Sequence, residues 1–240
     1  MNLIISSDFE EMSGTAWEDF LFTLEKISKP VICLPSGKTP VVFLRNMRNY
    51  FSRYQNHPDW YFIGLDEWVG IGKDVKGSCR QFFDEHLFTP LRIPEERISF
   101  FNGIAEDLEM ECSKAEAFIN AHKGIDITVL GIGTNGHLGL NEPGSDPSLR
   151  TQIKTLSQST ITAAKDYFNE PRDVHQGITL GLKSLLESGT VFLMAGGESK
   201  ADIIKAVVEG PVTTDIPGSF LQGHPNCFVY LDEKAASKLT

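Results

Sequence analysis

The 240-residue sequence predicts an α/β fold, a doubly wound, mostly parallel sheet with helices on both faces. Three observations carry that expectation. Short runs such as PVICL, WYFIGL and TVFLMA are apolar at successive positions, the pattern of strands buried on both faces. Helical periodicities separate these runs, as crossover connections require. Turns rich in glycine and proline follow several runs, at the strand ends where open sheets of this Rossmann-like type bind ligands. No repeat, low-complexity tract or Pro/Gly/Ser linker divides the chain, so residues 1–240 are expected to form a single domain.

The elements follow in order. Residues 15–28 read as a helix with Trp17, Phe20, Leu21, Leu24 and Ile27 on one face and Thr15 and Glu18 as a capping box. Residues 30–34 form a strand, and the turn SGKTP leads into a helix over 40–54 that Pro40 opens. WYFIGL (60–65) is a strand, SCRQFFDEHLF a helix, ISFF (98–101) a strand and 105–122 a charged helix. DITVLGIG (126–133) is a strand that empties into a Gly/Asn/Pro loop reaching about residue 150. ITAAKDYF and GLKSLLES read as short helices. TVFLMA (190–195) is a strand, SKADIIKAVVEG a helix and CFVYL (227–231) the last strand.

The balance of 22 basic against 32 acidic residues gives a net charge of −10, which a nucleic-acid backbone repels. No nucleic-acid partner is expected, although a local pocket for one small anion is compatible with that balance. No apolar run approaches the ~18 residues of a membrane span. The acidic stretch MNLIISSDFEEM has no basic region of a secretory signal. Cys33, Cys79, Cys112 and Cys227 form no CxxC pair and read as reduced thiols, so a cytoplasmic protein is expected. His57, His86, His122, His175 and His224 show no metal-ligand spacing, and no metal is expected.

Four turns hold the candidate chemistry. Ser36, Gly37, Lys38 and Thr39 combine a glycine, two hydroxyls and an ammonium group ahead of a helix N-terminus, which suits a phosphate. The same residues also fit a plain Thr-capped turn. Asp66 follows WYFIGL beside Glu67 and Trp68, where a carboxylate in a partly dry cleft acts as a base. Asn135, His137 and Glu142 lie together in TNGHLGLNEPG. His137 exchanges protons near neutral pH, Glu142 can orient it, and Asn135 hydrogen-bonds without titrating. Gly196, Gly197 and Lys200 open another helix and form a second anion-suited turn. A GxGxxG-like string at Gly131–Gly136 is followed by no helix, and no GxSxG elbow is present, so dinucleotide binding and serine hydrolysis lack support.

VICLPSGKTP, GLDEWVGI, LGIGTNGHLGLNEPG, GITLGLK, GGESKADIIKAVVEG and IPGSFLQGHP occur in that order over residues 30–232. Together they resemble the glucosamine-6-phosphate deaminase/isomerase family, with LDEW, NGHLGLNEPG and GITLGLK most similar to its galactosamine-6-phosphate isomerase branch. The resemblance implies a cofactor-free conversion of a 2-amino-2-deoxyhexose 6-phosphate into a ketohexose 6-phosphate and ammonia. The expected class is thus deaminase, isomerase and hydrolase, with a small amino-sugar phosphate as partner and the oligomeric state open. By position it makes Asp66 the base between C2 and C1, and His137 the ring opener. Glu142 and Asn135 orient and tune His137. Ser36–Thr39 cradle the phosphate, and Lys200 pairs with it. Many members carry Asp where Asn135 stands. A phosphate-binding arginine of some members falls near Lys165 and Asp166, leaving Lys165 or Arg172 as substitutes. The allosteric positions of hexameric members read Ser145, Gln152 and Lys154, so that regulation is not expected. The alternatives are a 6-phosphogluconolactonase, whose loop reads more like GHTASLFP, and a non-catalytic sugar-phosphate-binding regulator.

Overall fold

The computed structural model describes residues 1–53, 59–168 and 170–240; Tyr54, at the expected end of a helix, and His57 lie outside them. In chain order the elements are β1 (Asn2–Ser6), α1 (Phe9–Leu24), β2 (Val31–Leu34), α2 (Val41–Phe51), β3 (Tyr61–Gly64) and β4 (Asp66–Trp68). Next come α3 (Cys79–Phe83), which runs into a π-helical turn at Asp84–Phe88, then β5 (Ile98–Ser99), α4 (Leu108–Ala121), β6 (Ile127–Leu130) and β7 (Gln152–Thr155). The chain continues through α5 (Gln158–Ala164), β8 (Gln176–Thr179), α6 (Leu182–Leu186), β9 (Thr190–Ala195), α7 (Ala201–Glu209), β10 (Cys227–Asp232) and α8 (Glu233–Ala236).

Seven strands form one sheet in the order β1-β10-β9-β6-β2-β3-β5, and every pairing is parallel. The expected doubly wound α/β fold is present. Alternation along each strand feeds two cores. In β2, Val31 and Cys33 face one core while Ile32 and Leu34 face the other. In β9, Val191, Leu193 and Ala195 are divided in the same way from Phe192 and Met194. α1 and α2 cover one face through Met12, Phe20, Phe43 and Met47. The other is covered by α4, α6 and α7 through Ile119, Leu185 and Ile204.

The structure departs from the expected elements in several places, among them the unexpected edge strand β1. The first helix starts at Phe9, not at residue 15. Asp8 caps it by accepting from the Glu11 amide, and the Glu11 carboxylate accepts from the Ser7 amide. Thr15 is no cap, because its hydroxyl bonds back to the Glu11 carbonyl inside the helix. Several strands are shorter than expected, and β6 ends at Leu130, not 133. Finally, β4, β8 and β7 form an unexpected antiparallel sheet in that order. It places Asp66 opposite Thr179 and hangs beside the ends of the parallel strands.

Candidate active site

A cavity of about 530 Å³ opens where the parallel strands end. Ser36, Lys38 and Thr39 reach it from the end of β2, Asp66 from β3 and β4, Asn135 and His137 from the loop after β6, and Lys200 from beyond β9. α5 and the residues after it roof the cavity with Thr160, Ala163 and Tyr167. Every sequence-derived turn therefore converges on one space, with Glu142 buried behind His137.

Burial pushes the Asp66 carboxyl up to about 6, partly offset by a hydrogen bond from the Cys79 thiol (3.5 Å) and by the nearness of His137. Glu67 points the other way and is 1% exposed. One of its oxygens accepts from the amides of Trp68 and Cys79, the other from the Arg80 amide and the Ser78 hydroxyl. Burial pushes this carboxyl up to about 7, against four donors that favour the ionised form. Glu67 thus ties the start of α3 to β4.

His137 Nδ1 lies 3.5 Å from Glu142 Oε2 and 3.3 Å from the Thr160 hydroxyl, which leaves Nε2 for a ligand. A Cβ on Gly133 would overlap the imidazole, so the glycine there makes room for the ring. Glu142 accepts from the Asn135 amide group at 2.9 Å and from the Ser157 backbone amide at 3.1 Å. Burial opposes its ionisation, but hydrogen bonds to His137 and Thr160, the charge interaction with His137 and the Ser157 amide outweigh it and hold the carboxyl at about 2. Asn135 also accepts from the His137 backbone amide at 3.2 Å. An aspartate at 135 would have no N–H to offer Glu142. The asparagine fixes Glu142 without adding a second negative charge.

The anion-suited turns differ in their readiness. Gly37 has φ +96°, and a side chain there would come within 2.6 Å of the Tyr167 hydroxyl. Ser36 donates to the Cys79 sulfur at 3.1 Å. Lys38 is exposed and pairs with Asp166 at 3.3 Å. Half-buried Lys200 donates to the Ile132 carbonyl at 2.6 Å, and burial lowers its pKa. The Gly197 amide is taken by the Asp232 carboxylate, so this second turn lines the cavity through Gly196 and Lys200 and not through Gly197. Lys165 is exposed, and Arg172 sits 3.9 Å from Glu170. Among the described residues no group of three or more His, Cys, Asp or Glu side chains is arranged to hold a metal. No helix there is long and apolar enough to cross a membrane.

Sequence reasoning missed Glu67, Cys79 and Tyr167 as parts of the site. DEW displayed Glu67, but nothing in its spacing said that it faces inward. Cys79 and Tyr167 arrive from segments with no glycine-rich turn to draw notice.

The sequence model of the family described as glucosamine-6-phosphate isomerases/6-phosphogluconolactonase matches residues 9–229. The chain belongs to this family. Within it, a glucosamine-6-phosphate deaminase of Enterococcus faecalis is 38% identical over 240 residues, covering 100% of both chains. The solved structure of a monomeric glucosamine-6-phosphate deaminase superposes with a TM-score of 0.94 at 30% identity, over 99% of this chain and 100% of that one. A 6-phosphogluconolactonase of Trypanosoma brucei shares the fold, with a TM-score of 0.79 at 18% identity over 100% and 98% of the two chains.

Proposed function

We propose that residues 1–240 form one catalytic domain that converts an amino-sugar 6-phosphate into a ketose 6-phosphate and ammonia, with glucosamine 6-phosphate as substrate. The observation that carries the proposal is that Asp66 and the Glu142-backed His137 face one cavity, which Lys200 and the Ser36–Thr39 turn also line. The two relatives described above that are at least 30% identical along the full chain are named for glucosamine 6-phosphate, and neither for galactosamine 6-phosphate. The expected hydrolase class is withdrawn: those relatives are deaminases, and the family's description leads with isomerases.

Two protons move at separate places. His137 Nε2 takes the anomeric hydroxyl proton and returns it to the ring oxygen, while ionised Glu142 stabilises the transient imidazolium. Asp66, ionised at neutral pH yet more basic than an ordinary aspartate, then removes the proton from C2 of the open chain and delivers it to C1. With a proton passed through solvent from the amino nitrogen to the C1 oxygen, this leaves a C1 alcohol and an imine at C2, which water converts to the ketone with loss of ammonia. One base cannot sit within hydrogen-bond reach, ~2.6–3.2 Å, of both the ring oxygens and the C1–C2 edge. The chemistry requires no cofactor. Lys200 supplies charge to the phosphate, the Ser36–Thr39 turn supplies hydroxyl and amide donors, and the Tyr167 hydroxyl above Gly37 adds a neutral donor.

A coupled ammonia assay on glucosamine 6-phosphate and galactosamine 6-phosphate, run beside lactone hydrolysis, tests this reading. Ammonia release from the glucosamine substrate is expected. Turnover of the lactone alone would overturn the proposal, and preference for the galactosamine substrate would reassign its substrate.

A further inference from the structure

We infer that the Cys79 thiol is a positioning group, a hydrogen-bond donor that aims the Asp66 carboxylate at the substrate and sets its basicity. The inference rests on the reading of Asp66 as the carbon base. Cys79 Sγ stands 3.5 Å from Asp66 Oδ1, and among the described residues no other side chain is hydrogen-bonded to that carboxylate. The thiol's own orientation is built. Ser36 donates its hydroxyl to Sγ at 3.1 Å, occupying a sulfur lone pair and leaving the S–H to face Asp66. The backbone behind the thiol is fixed as well. Glu67, the residue after Asp66, accepts the Cys79 amide at 2.9 Å and the Arg80 amide at 2.9 Å. Base and thiol are thus held to each other twice, once by side chains and once by a carboxylate clamp one residue along.

The chemistry favours a thiol in this place. Cys79 is 3% exposed, and burial raises its pKa well above the ordinary value, so it is a protonated donor and not a nucleophile. S–H is a weak donor. It gives direction to the carboxylate while removing less basicity than a hydroxyl or amide would. A carbon base needs both: a fixed oxygen, and a proton affinity above that of an exposed aspartate. The other titratable groups that face Asp66 are His137 from the loop after β6, Cys33 from β2 and Tyr167 from the roof. None of the three is hydrogen-bonded to it.

The test is the acid limb of the kcat/KM pH profile for ammonia release in Cys79→Ala, Cys79→Ser and Asp66→Asn. Loss of the donor in Cys79→Ala raises the carboxyl pKa, so the limb moves up by about half a pH unit or more. Cys79→Ser substitutes a stronger donor, so its limb moves down and kcat at neutral pH falls with the weaker base. Opposite shifts are the signature, because a packing role moves both variants alike. If Cys79→Ala does not fold, the downward shift in Cys79→Ser decides alone. Limbs that stay in place, or move together, in variants whose parent loses activity on Asp66→Asn would overturn the role of the thiol and leave the base intact. Undiminished turnover by Asp66→Asn would remove the base itself, and the inference with it.

Discussion

The two sheets divide the labour unequally. The seven-stranded sheet is built from strands such as VICL and ITVL whose every residue is buried, and its contribution to the site is location: it ends four turns at one place. The three-stranded sheet has strands DEW, QGIT and QIKT, of mixed polarity and partial exposure. Its contribution is polar detail. It carries Asp66, it buries Glu67 among four donors, and it sets the Thr179 hydroxyl to accept from the Leu140 amide. Beside it, Asn141 donates to the Leu138 and Leu180 carbonyls. An apolar sheet tolerates exchange of one hydrophobe for another, whereas a buried polar arrangement loses more when one member is removed.

The sharpest way to break that division is a pair of variants. Asp66→Asn, on the small sheet, is expected to lower kcat by about 10²–10⁴-fold, the range for loss of a general base, with no loss of melting temperature. Ile32→Ala, fully buried in β2, is expected to cost about 2–5 kcal/mol of stability while each folded molecule keeps its kcat. Activity assays beside denaturant titrations read both. Equal kcat losses would erase the distinction between the sheets.

The same division explains what the sequence disclosed. Runs buried on both faces are continuous and apolar, so β2, β3, β6, β9 and β10 are readable directly. The small sheet is not, because QIKT and QGIT have neither a long apolar run nor a clean alternation, and β4 is three residues long. The edge strand β1 escaped for a related reason, since its Leu3 and Ile5 remain exposed. The residues of the cavity were legible where a glycine-rich turn marked them, as at Ser36–Thr39 and Asn135–Glu142. Cys79 acts through a contact 13 residues along the chain from Asp66, and Tyr167 through one 130 residues from Gly37. No local pattern encodes either.

Glu67→Gln sharpens the comparison from inside the small sheet. The amide keeps the volume but replaces one acceptor oxygen with an NH2 donor that faces groups that also donate, leaving buried N–H groups unmatched. A stability loss of about 1–3 kcal/mol is expected, together with reduced kcat as α3 and Cys79 shift from Asp66. Hydrogen exchange of the Cys79 and Arg80 amides would quicken in this variant. Unchanged protection would show that the clamp is not needed.

Acid titration separates the two carboxyls of the proposed site by sign. Glu142 sits at about 2 in the folded chain against an ordinary 4.5, so its stabilisation is full above about 4.5 and is lost as the pH falls toward about 2. Asp66 runs the other way. Its folded value of about 6 exceeds the ordinary 3.8, so protonation favours the folded state as the pH falls from about 6 toward 3.8. Stability measured by denaturant from pH 7 to 3 should show a shallower acid-side decline in Glu142→Gln and a smaller gain below pH 6 in Asp66→Asn, Glu67 at about 7 supplying the rest of that gain. A parent slope that neither variant alters would place the titration elsewhere.

The smallest expected effects contrast the phosphate contacts proposed for the two regions. Lys200 follows β9 of the large sheet and brings a half-buried charge, whose pKa burial lowers. Tyr167 lies in the roof, edge-on to Trp68 of the small sheet at 5.8 Å, and brings a neutral hydroxyl above Gly37. A hydrogen bond to a charged group is worth about 1.5–3 kcal/mol and a neutral one about 0.5–1.5. On the proposed reading both contacts form in the ground state as well as the transition state, so their loss is expected in KM while kcat holds. Lys200→Ala is therefore expected to raise KM by roughly ten- to hundred-fold, and Tyr167→Phe by roughly two- to ten-fold. Weakened competitive inhibition by inorganic phosphate in both variants would tie the change to the phosphate group. A Tyr167→Phe enzyme with parental KM and parental phosphate inhibition would reduce Tyr167 to a cover over Gly37, leaving the phosphate to the turn and Lys200.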